Sequence, residues 1–200
     1  RFLEEHEWFP DIIAGTSIGA GNGAAYASGH TANSLWSLWK RLTTDDVQKT
    51  NWRILEDNFL LDTNPLRVTL QEDGWVDFDR INSAEAKTHL RVTATEISSG
   101  QLHVFGNSAD LYPSKMQRES IGLEHIIASC SIPILYPATA LHDTLYWDGA
   151  TVANTPLGPA IDAGAEEIVV VLMTPWEEGE PQQPQAPKNL LTAASTMLEW

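Results

Sequence analysis

The chain has 200 residues, of which 27 are acidic and 12 are basic, so its formal net charge is −15. Its length suits one domain over residues 1–200, and with 42% hydrophobic residues it can bury a core. The acidity argues against nucleic-acid binding and against electrostatic docking on an anionic membrane, because both need a basic face. The single cysteine, Cys130, excludes an intramolecular disulfide framework and a multi-cysteine zinc site.

The chain begins with the pattern of a βαβ unit. Apolar residues 11–14 predict a short strand, and alanine-rich residues 22–28 predict a helix that ends at Gly29. The glycine-rich residues 15–21 lie between them. A strand, a tight turn and a helix in this order are typical of an α/β protein.

The next segment contains two predicted helices. Apolar spacing over residues 33–42 predicts an amphipathic helix that carries Trp36 and Trp39. We expect this helix to face the core, with a membrane-interface surface as the alternative. A second helix is expected to begin near Pro65, since proline suits the first helical position.

Strands and helices continue to alternate through the rest of the chain. Alternating β-branched residues predict a hairpin of strands at 90–97 and 102–105. The later predicted elements are a helix at 123–130, a strand at 145–147, a helix at 155–164 and a fully buried strand at 167–173. The proline-rich residues 177–188 predict a loop. This alternation predicts an α/β layered fold.

One motif has the spacing of a nucleophile elbow. Gly15-x-Ser17-x-Gly19 follows a predicted strand and precedes a helix, which is the context in which such a serine is catalytic. The glycines are expected because side chains would clash in so tight a turn, and the helix directs its positive end at the serine. The alternative is a glycine-rich turn with a helix-capping serine.

A serine nucleophile needs a base, and the sequence offers two kinds. Of the six histidines, only His142 lies near a plausible site loop, so a Ser-His-Asp arrangement would use it. Asp148-Gly149-Ala150 ends a short predicted strand, and its carboxylate would face the ligand crevice if it lies at the carboxyl end of the sheet. By itself, Asp-Gly is an ordinary turn dipeptide.

The two motifs together resemble the patatin-like phospholipase family. The resemblance covers about residues 1–175 and includes supporting segments at 11–14, 61–66, 128–138, 154–156 and 164–165. It implies a three-layer α/β fold with a mostly parallel central sheet. It also implies a lipid acyl hydrolase with a Ser–Asp dyad, in which Ser17 is the nucleophile, Asp148 is the base and no catalytic histidine is used. The implied substrates are phospholipids, lysophospholipids or neutral glycerides, with peripheral membrane contact allowed and no cofactor or metal.

One feature of that family has no match in this chain. The family carries a glycine-rich oxyanion segment before the nucleophile strand, whereas residues 1–10 contain no glycine. We expect that segment and the first strand of the sheet to lie before Arg1, and a protein without them to be weakly active or inactive, since each lost oxyanion donor costs roughly 10²–10³-fold in rate. The Ile18 amide is one remaining candidate donor, and Gly15, Gly19 and Gly149 are expected to shape the site.

A catalytically silent binding or regulatory domain of the same fold is the alternative from another class. The acidic composition favours a cytoplasmic protein without fixing the compartment.

Overall fold

The computed structural model describes residues 1–51, 53, 56, 58–71, 74–107 and 120–172, in which helices cover a five-stranded sheet. The helices are α1 (Phe2–Glu5), α2 (Ile18–Ala27), α3 (Ala32–Trp39), α4 (Asn64–Gln71), α5 (Phe78–Asn82), α6 (Leu123–Ser129) and α7 (Leu157–Asp162). The strands are β1 (Ile12–Thr16), β2 (Lys49–Thr50), β3 (Leu61–Asp62), β4 (His89–Glu96), β5 (Leu102–Gly106), β6 (Thr139–Leu141) and β7 (Thr144–Asp148). Two 3₁₀ turns span Thr44–Asp46 and Gly149–Thr151. The predicted α/β fold class is confirmed.

Strand β4 is the centre of the main sheet, and its six inner residues are buried. It pairs in parallel with β1 and antiparallel with β5 and β7, and β7 in turn pairs antiparallel with β6. The sheet is therefore mixed, with its parallel pairing at the strand that leads into the elbow. Strands β2 and β3 form a separate antiparallel pair.

The register places β1 and β7 end to end along one edge of β4. Strand β5 pairs with β4 over residues 91–95, so it occupies one edge. Strand β1 pairs with residues 89–93 and β7 with residues 94–96, and both must therefore lie on the opposite edge. Because β1 runs parallel to β4 and β7 antiparallel, their carboxyl ends face each other at the Thr93–Ala94 junction.

Helix α2 packs closely on the sheet through a glycine. A side chain at Gly23 would come within 2.8 Å of Ile13 and 3.1 Å of Leu90. On the same helix, Ala20, Ala24 and Ala25 are fully buried. Small residues along α2 therefore let the helix approach the strand that precedes it.

Helix α3 meets the core as expected, but its two tryptophans differ. Trp39 packs against the core, donates from Nε1 to the Asn22 side chain at 2.8 Å and meets Trp75 edge to face. Trp36 is 61% exposed, with the Lys40 ammonium over its ring. The core-facing interpretation of the helix is confirmed, and its exposed face carries one tryptophan.

The strand predicted at residues 167–173 is wrong over the part that the structure describes. Residues 168–172 form no strand and are between 39% and 84% exposed, and Met173 lies outside the described residues. The apolar run favours a strand only where a neighbour offers hydrogen bonds, and no described strand pairs with it. The predicted loop at 177–188 also lies outside the described residues. No described helix is both long enough and apolar enough to cross a bilayer.

Candidate active site

Ser17 lies on a strained turn between β1 and α2. Its φ of 55° and ψ of −129° place a non-glycine residue in a sparsely populated backbone region, as a nucleophile elbow requires. It occupies the position before the first turn of α2, yet its side chain makes no capping hydrogen bond. The alternative of a helix-capping serine therefore has no support, and the half-buried hydroxyl is available for another partner.

The two glycines of the serine motif have different surroundings. A side chain at Gly15 would lie 2.5 Å from the Gly19 carbonyl oxygen and 2.6 Å from the Ala20 nitrogen, so only glycine fits there. At Gly19, no described atom beyond its chain neighbours and the backbone of its own helix lies within 4 Å of the position that a Cβ would take. The expected steric clash is therefore found at Gly15, whereas at Gly19 no clash arises with described residues outside its own helix and its chain neighbours.

Asp148 ends β7 and is 1% exposed. Its Oδ1 accepts a hydrogen bond from the Ala150 amide at 2.8 Å, while Oδ2 has no described partner at standard hydrogen-bond geometry. Burial raises the pKa of Asp148 to about 6, although the nearby Ser17 hydroxyl and the Ala150 amide act in the opposite direction. The carboxylate is therefore more basic than usual and close to the serine hydroxyl.

Threonines of β4 connect the two strand ends. The hydroxyls of Thr16 and Thr93 lie 2.6 Å apart, and the Thr95 hydroxyl donates to the Asp148 carbonyl at 3.0 Å. Gly149 packs against Thr93, since a side chain at position 149 would come within 2.5 Å of the Thr93 hydroxyl oxygen. The glycine after Asp148 thus lets the chain leave β7 directly over β4.

Residues 129–131, at the carboxyl end of α6, contact both strand ends. The buried Ser129 hydroxyl accepts from the Ser17 amide at 2.8 Å, and the Ser131 carbonyl accepts from the Asp148 amide at 2.9 Å. Cys130, which lies between them in the sequence, is buried, and the pKa of its thiol is raised by burial and by the Asp148 charge. In the sequence, residues 128–138 support the family resemblance, but no pattern indicates a role for Ser129 or Ser131, because small polar residues carry no pattern of their own.

The structure does not bring His142 to Asp148. His142 is exposed in the turn between β6 and β7, with a φ of 45°. Strand β7 separates this turn from Asp148, and its five residues rise by about 13 Å from the first to the last. Within the described residues, no group of three or more histidine, cysteine or carboxylate side chains is gathered as a metal site needs.

A surface hollow of about 400 Å³ lies elsewhere on the molecule. Its lining comes from the Thr44–Asp46 turn, β2, β3 and α4, and it includes Lys49 as well as the carboxylates of Asp45, Asp46 and Asp62. Neither Ser17 nor Asp148 contributes to it. The arrangement with the geometry for acyl chemistry is therefore the junction of β1 and β7, since it combines a hydroxyl on a strained turn with a basic buried carboxylate.

Comparison with known proteins agrees with these motifs. The family model described as Patatin-like phospholipase matches residues 1–161. Over 171 residues, 84% of this chain, the sequence is 29% identical to Lysophospholipase NTE1 of Meyerozyma guilliermondii. Over the same length, it is 27% identical to Lysophospholipase NTE1 of Candida albicans. The aligned region is 11% of the length of each of these two relatives.

Proposed function

The chain belongs to the patatin-like phospholipase family, and we propose that it is a lipid acyl hydrolase that works through a Ser17–Asp148 dyad. The observation that carries the proposal is the meeting of the carboxyl ends of β1 and β7 on one edge of β4, which sets Ser17 beside a buried carboxylate. We propose further that residues 1–200 form one domain.

In this mechanism Asp148 acts as the base for Ser17. With a pKa of about 6 the carboxylate is largely ionised at neutral pH, yet it accepts a proton more readily than an ordinary aspartate. The Ser17 oxygen attacks the ester carbonyl carbon as its proton passes to Asp148. Collapse of the tetrahedral intermediate breaks the ester C–O bond, and the alcohol leaves with the proton. Water then attacks the acyl-enzyme and loses a proton to Asp148. As the bond between the acyl carbon and the Ser17 oxygen breaks, Asp148 returns this proton to Ser17 and the fatty acid is released.

The oxyanion that forms in these steps needs hydrogen-bond donors. Ile18 is the first residue of α2, where amides have no acceptor within the helix, and we assign its N–H as one donor. The open space at Gly19, beside the nucleophile, leaves room for a substrate acyl group. The scheme needs no metal or cofactor.

The substrate is proposed to be a lipid with a single accessible acyl ester, because both relatives are described as lysophospholipases. Hydrolysis should be compared on a lysophospholipid, a diacyl phospholipid and a triglyceride presented at equal concentration. Faster turnover of the lysophospholipid is expected. Preference for the diacyl lipid or the triglyceride would keep the acyl hydrolase and overturn the lysophospholipase assignment. With lipid substrates, peripheral membrane contact is also proposed.

The dyad is tested by labelling with a serine-directed fluorophosphonate and by ester hydrolysis on the full-length protein. Ser17→Ala should abolish labelling, and Asp148→Asn should lower hydrolysis at least about 10³-fold, because the serine loses its base. His142→Ala is the matched control and should keep turnover within about twofold of the wild type. Loss of activity with His142→Ala and its retention with Asp148→Asn would point instead to a histidine-based esterase. A folded wild-type protein that neither labels nor hydrolyses any lipid would favour the silent binding domain.

A further inference from the structure

The carboxyl end of α6 contacts both members of the proposed dyad, which the sequence motifs alone do not indicate. We propose that Ser129 is a positioning residue for Ser17, and that residues 129–131 form a clamp that sets the distance between nucleophile and base. The kinetic part of this inference rests on the proposed function.

The Ser129 side chain is placed to hold the backbone of the elbow. It is fully buried on the last residue of α6, and its hydroxyl accepts from the Ser17 amide at 2.8 Å across 112 positions of sequence. In this direction of hydrogen bonding, the hydroxyl oxygen is the acceptor, so alanine at 129 would leave the Ser17 amide without it. An amide that loses its partner in a shielded site carries the full cost of desolvation.

The elbow needs such a contact because its backbone is strained. A φ of 55° at a serine persists only where the surroundings hold it more firmly than the local preference opposes it. Gly15 removes a clash from that turn, because a side chain there would lie 2.5 Å from the Gly19 carbonyl oxygen. The hydrogen bond from the Ser17 amide to the Ser129 hydroxyl holds the peptide plane that precedes the Ser17 side chain.

The same turn of chain also fixes Asp148. Two residues after Ser129, the Ser131 carbonyl accepts from the Asp148 amide at 2.9 Å. The Ser131 hydroxyl bonds to the Ile127 carbonyl at 2.9 Å and lies 2.8 Å from the Thr139 hydroxyl, so this residue is itself held on both sides. The backbones of Ser17 and Asp148 are thus both held by one short, buried segment as well as by β4.

Cys130 completes the clamp without adding charge. Its side chain is buried and lies close to both Ser17 and Asp148. Burial and the neighbouring carboxylate raise the pKa of the thiol, so it stays neutral and does not compete as a base. The clamp therefore fills the space beside the dyad with a small uncharged group.

The test compares two buried serines that make the same kind of bond. In the full-length protein, Ser129→Ala removes the acceptor of the Ser17 amide, and Ser28→Ala removes the acceptor of the Asp77 amide at 2.9 Å. Ser28 lies at the end of α2 remote from Ser17, so its loss changes stability without touching the dyad. Ser129→Cys keeps the shape and offers only a weak acceptor, and it replaces Ser129→Ala if that variant does not fold.

Two readouts decide the outcome. For Ser129→Ala we expect kcat and the fluorophosphonate labelling rate to fall about tenfold to a hundredfold. KM should stay within about twofold, since the reacting groups are misplaced whereas the contacts that bind the substrate are unchanged. For Ser28→Ala, kcat should stay within about twofold at a comparable loss of Tm. Equal kcat values for the two variants would overturn the clamp.

The second readout does not depend on activity. Hydrogen exchange of a peptide that contains the Ser17 amide should become faster with Ser129→Ala and stay unchanged with Ser28→Ala. If the wild type neither labels nor hydrolyses lipids, the proposed function fails and exchange alone decides the clamp. Unchanged exchange at Ser17 in Ser129→Ala would overturn the clamp whatever the activity of the wild type.

Discussion

Ser17 and Asp148 end two strands that meet on the same edge of β4, yet the chain holds them in opposite ways. Ser17 is half-buried on a strained backbone, with a φ of 55°. Asp148 has an ordinary extended backbone, with a φ of −50° and a ψ of 134°, but it is 1% exposed. At the serine end the fold imposes a conformational cost, and at the aspartate end it imposes a cost of desolvation.

The two costs match the roles proposed for the two residues. A nucleophile must project from the backbone toward substrate, and a sharp turn achieves this while leaving the hydroxyl accessible. A base must have a pKa near the working pH, and burial achieves this for an aspartate. If the comparison is correct, variants at the two ends should respond to different variables, namely backbone freedom at Ser17 and pH at Asp148.

The largest expected effect comes from the glycines that let the two strand ends approach their neighbours. Gly15→Ala and Gly149→Ala each place a methyl group within 2.5 Å of an oxygen atom and 2.7 Å of backbone, so each should lower the free energy of unfolding by about 3 kcal/mol or more. Urea denaturation followed by circular dichroism measures the loss.

Gly19→Ala is the matched control within the same motif. No described atom outside its own helix and its chain neighbours lies near the added methyl group, and alanine favours a helix by up to about 1 kcal/mol over glycine, so the stability of the variant should stay equal or rise. A loss at Gly19 as large as that at Gly15 would show that the two glycines share one steric role.

This contrast also marks how far the sequence could predict the site. The elbow was predictable because strand, glycine, serine and helix are consecutive, and local sterics determine such a turn. Asp148 was expected at the carboxyl edge of a parallel sheet. In the structure, β7 runs antiparallel to β4, and its carboxyl end faces the carboxyl end of β1. Nothing local encodes that meeting, because it depends on which strands share an edge.

Two further elements show the same limit. Ser129 lies 112 positions from Ser17, and its contact depends on where α6 ends in space rather than on any spacing in the sequence. At residues 168–172 the apolar pattern predicted a strand, but a pattern specifies which side chains prefer burial and not which strand will pair. Local geometry was predictable, and the long-range partners were not.

The next largest effect concerns the aspartate end and depends on pH. Because burial raises the pKa of folded Asp148 to about 6, while an unfolded aspartate titrates near about 3.9, its ionisation opposes folding. The contribution of Asp148 to the free energy of unfolding therefore falls as the pH rises from about 4 to about 6, and it stays low above about pH 6. Asp148→Asn should raise the free energy of unfolding by about 2–3 kcal/mol at pH 7.5 and by almost nothing near about pH 3.5. Urea denaturation of the wild type and of Asp148→Asn at several pH values measures the difference. A stability gain that does not depend on pH would show that ionisation of Asp148 is not its cause.

A smaller effect is expected in the pH dependence of catalysis. Since the proposed base must be ionised, kcat/KM should fall about tenfold per pH unit below an apparent pKa of about 6. His142→Ala should leave this profile unchanged. A profile that moves with His142→Ala would indicate that a histidine supplies the acidic limb.

The smallest effect tests the strain at the serine end. Ser17→Gly should raise the free energy of unfolding by about 1 kcal/mol near about pH 4, where Asp148 is protonated and the Ser17 hydroxyl stabilises no carboxylate charge, because glycine adopts a positive φ without steric cost and this gain exceeds its extra entropy in the unfolded chain. Ser37→Gly, on the exposed face of α3, is the control and should lower it by about 0.5 kcal/mol, since a serine with helical geometry gains nothing from glycine. Opposite signs for the same substitution, measured by thermal denaturation, would assign the difference to the backbone of the elbow. Two losses of equal size would mean that the surrounding contacts, and not the conformation of Ser17 itself, carry the cost at this end of the site.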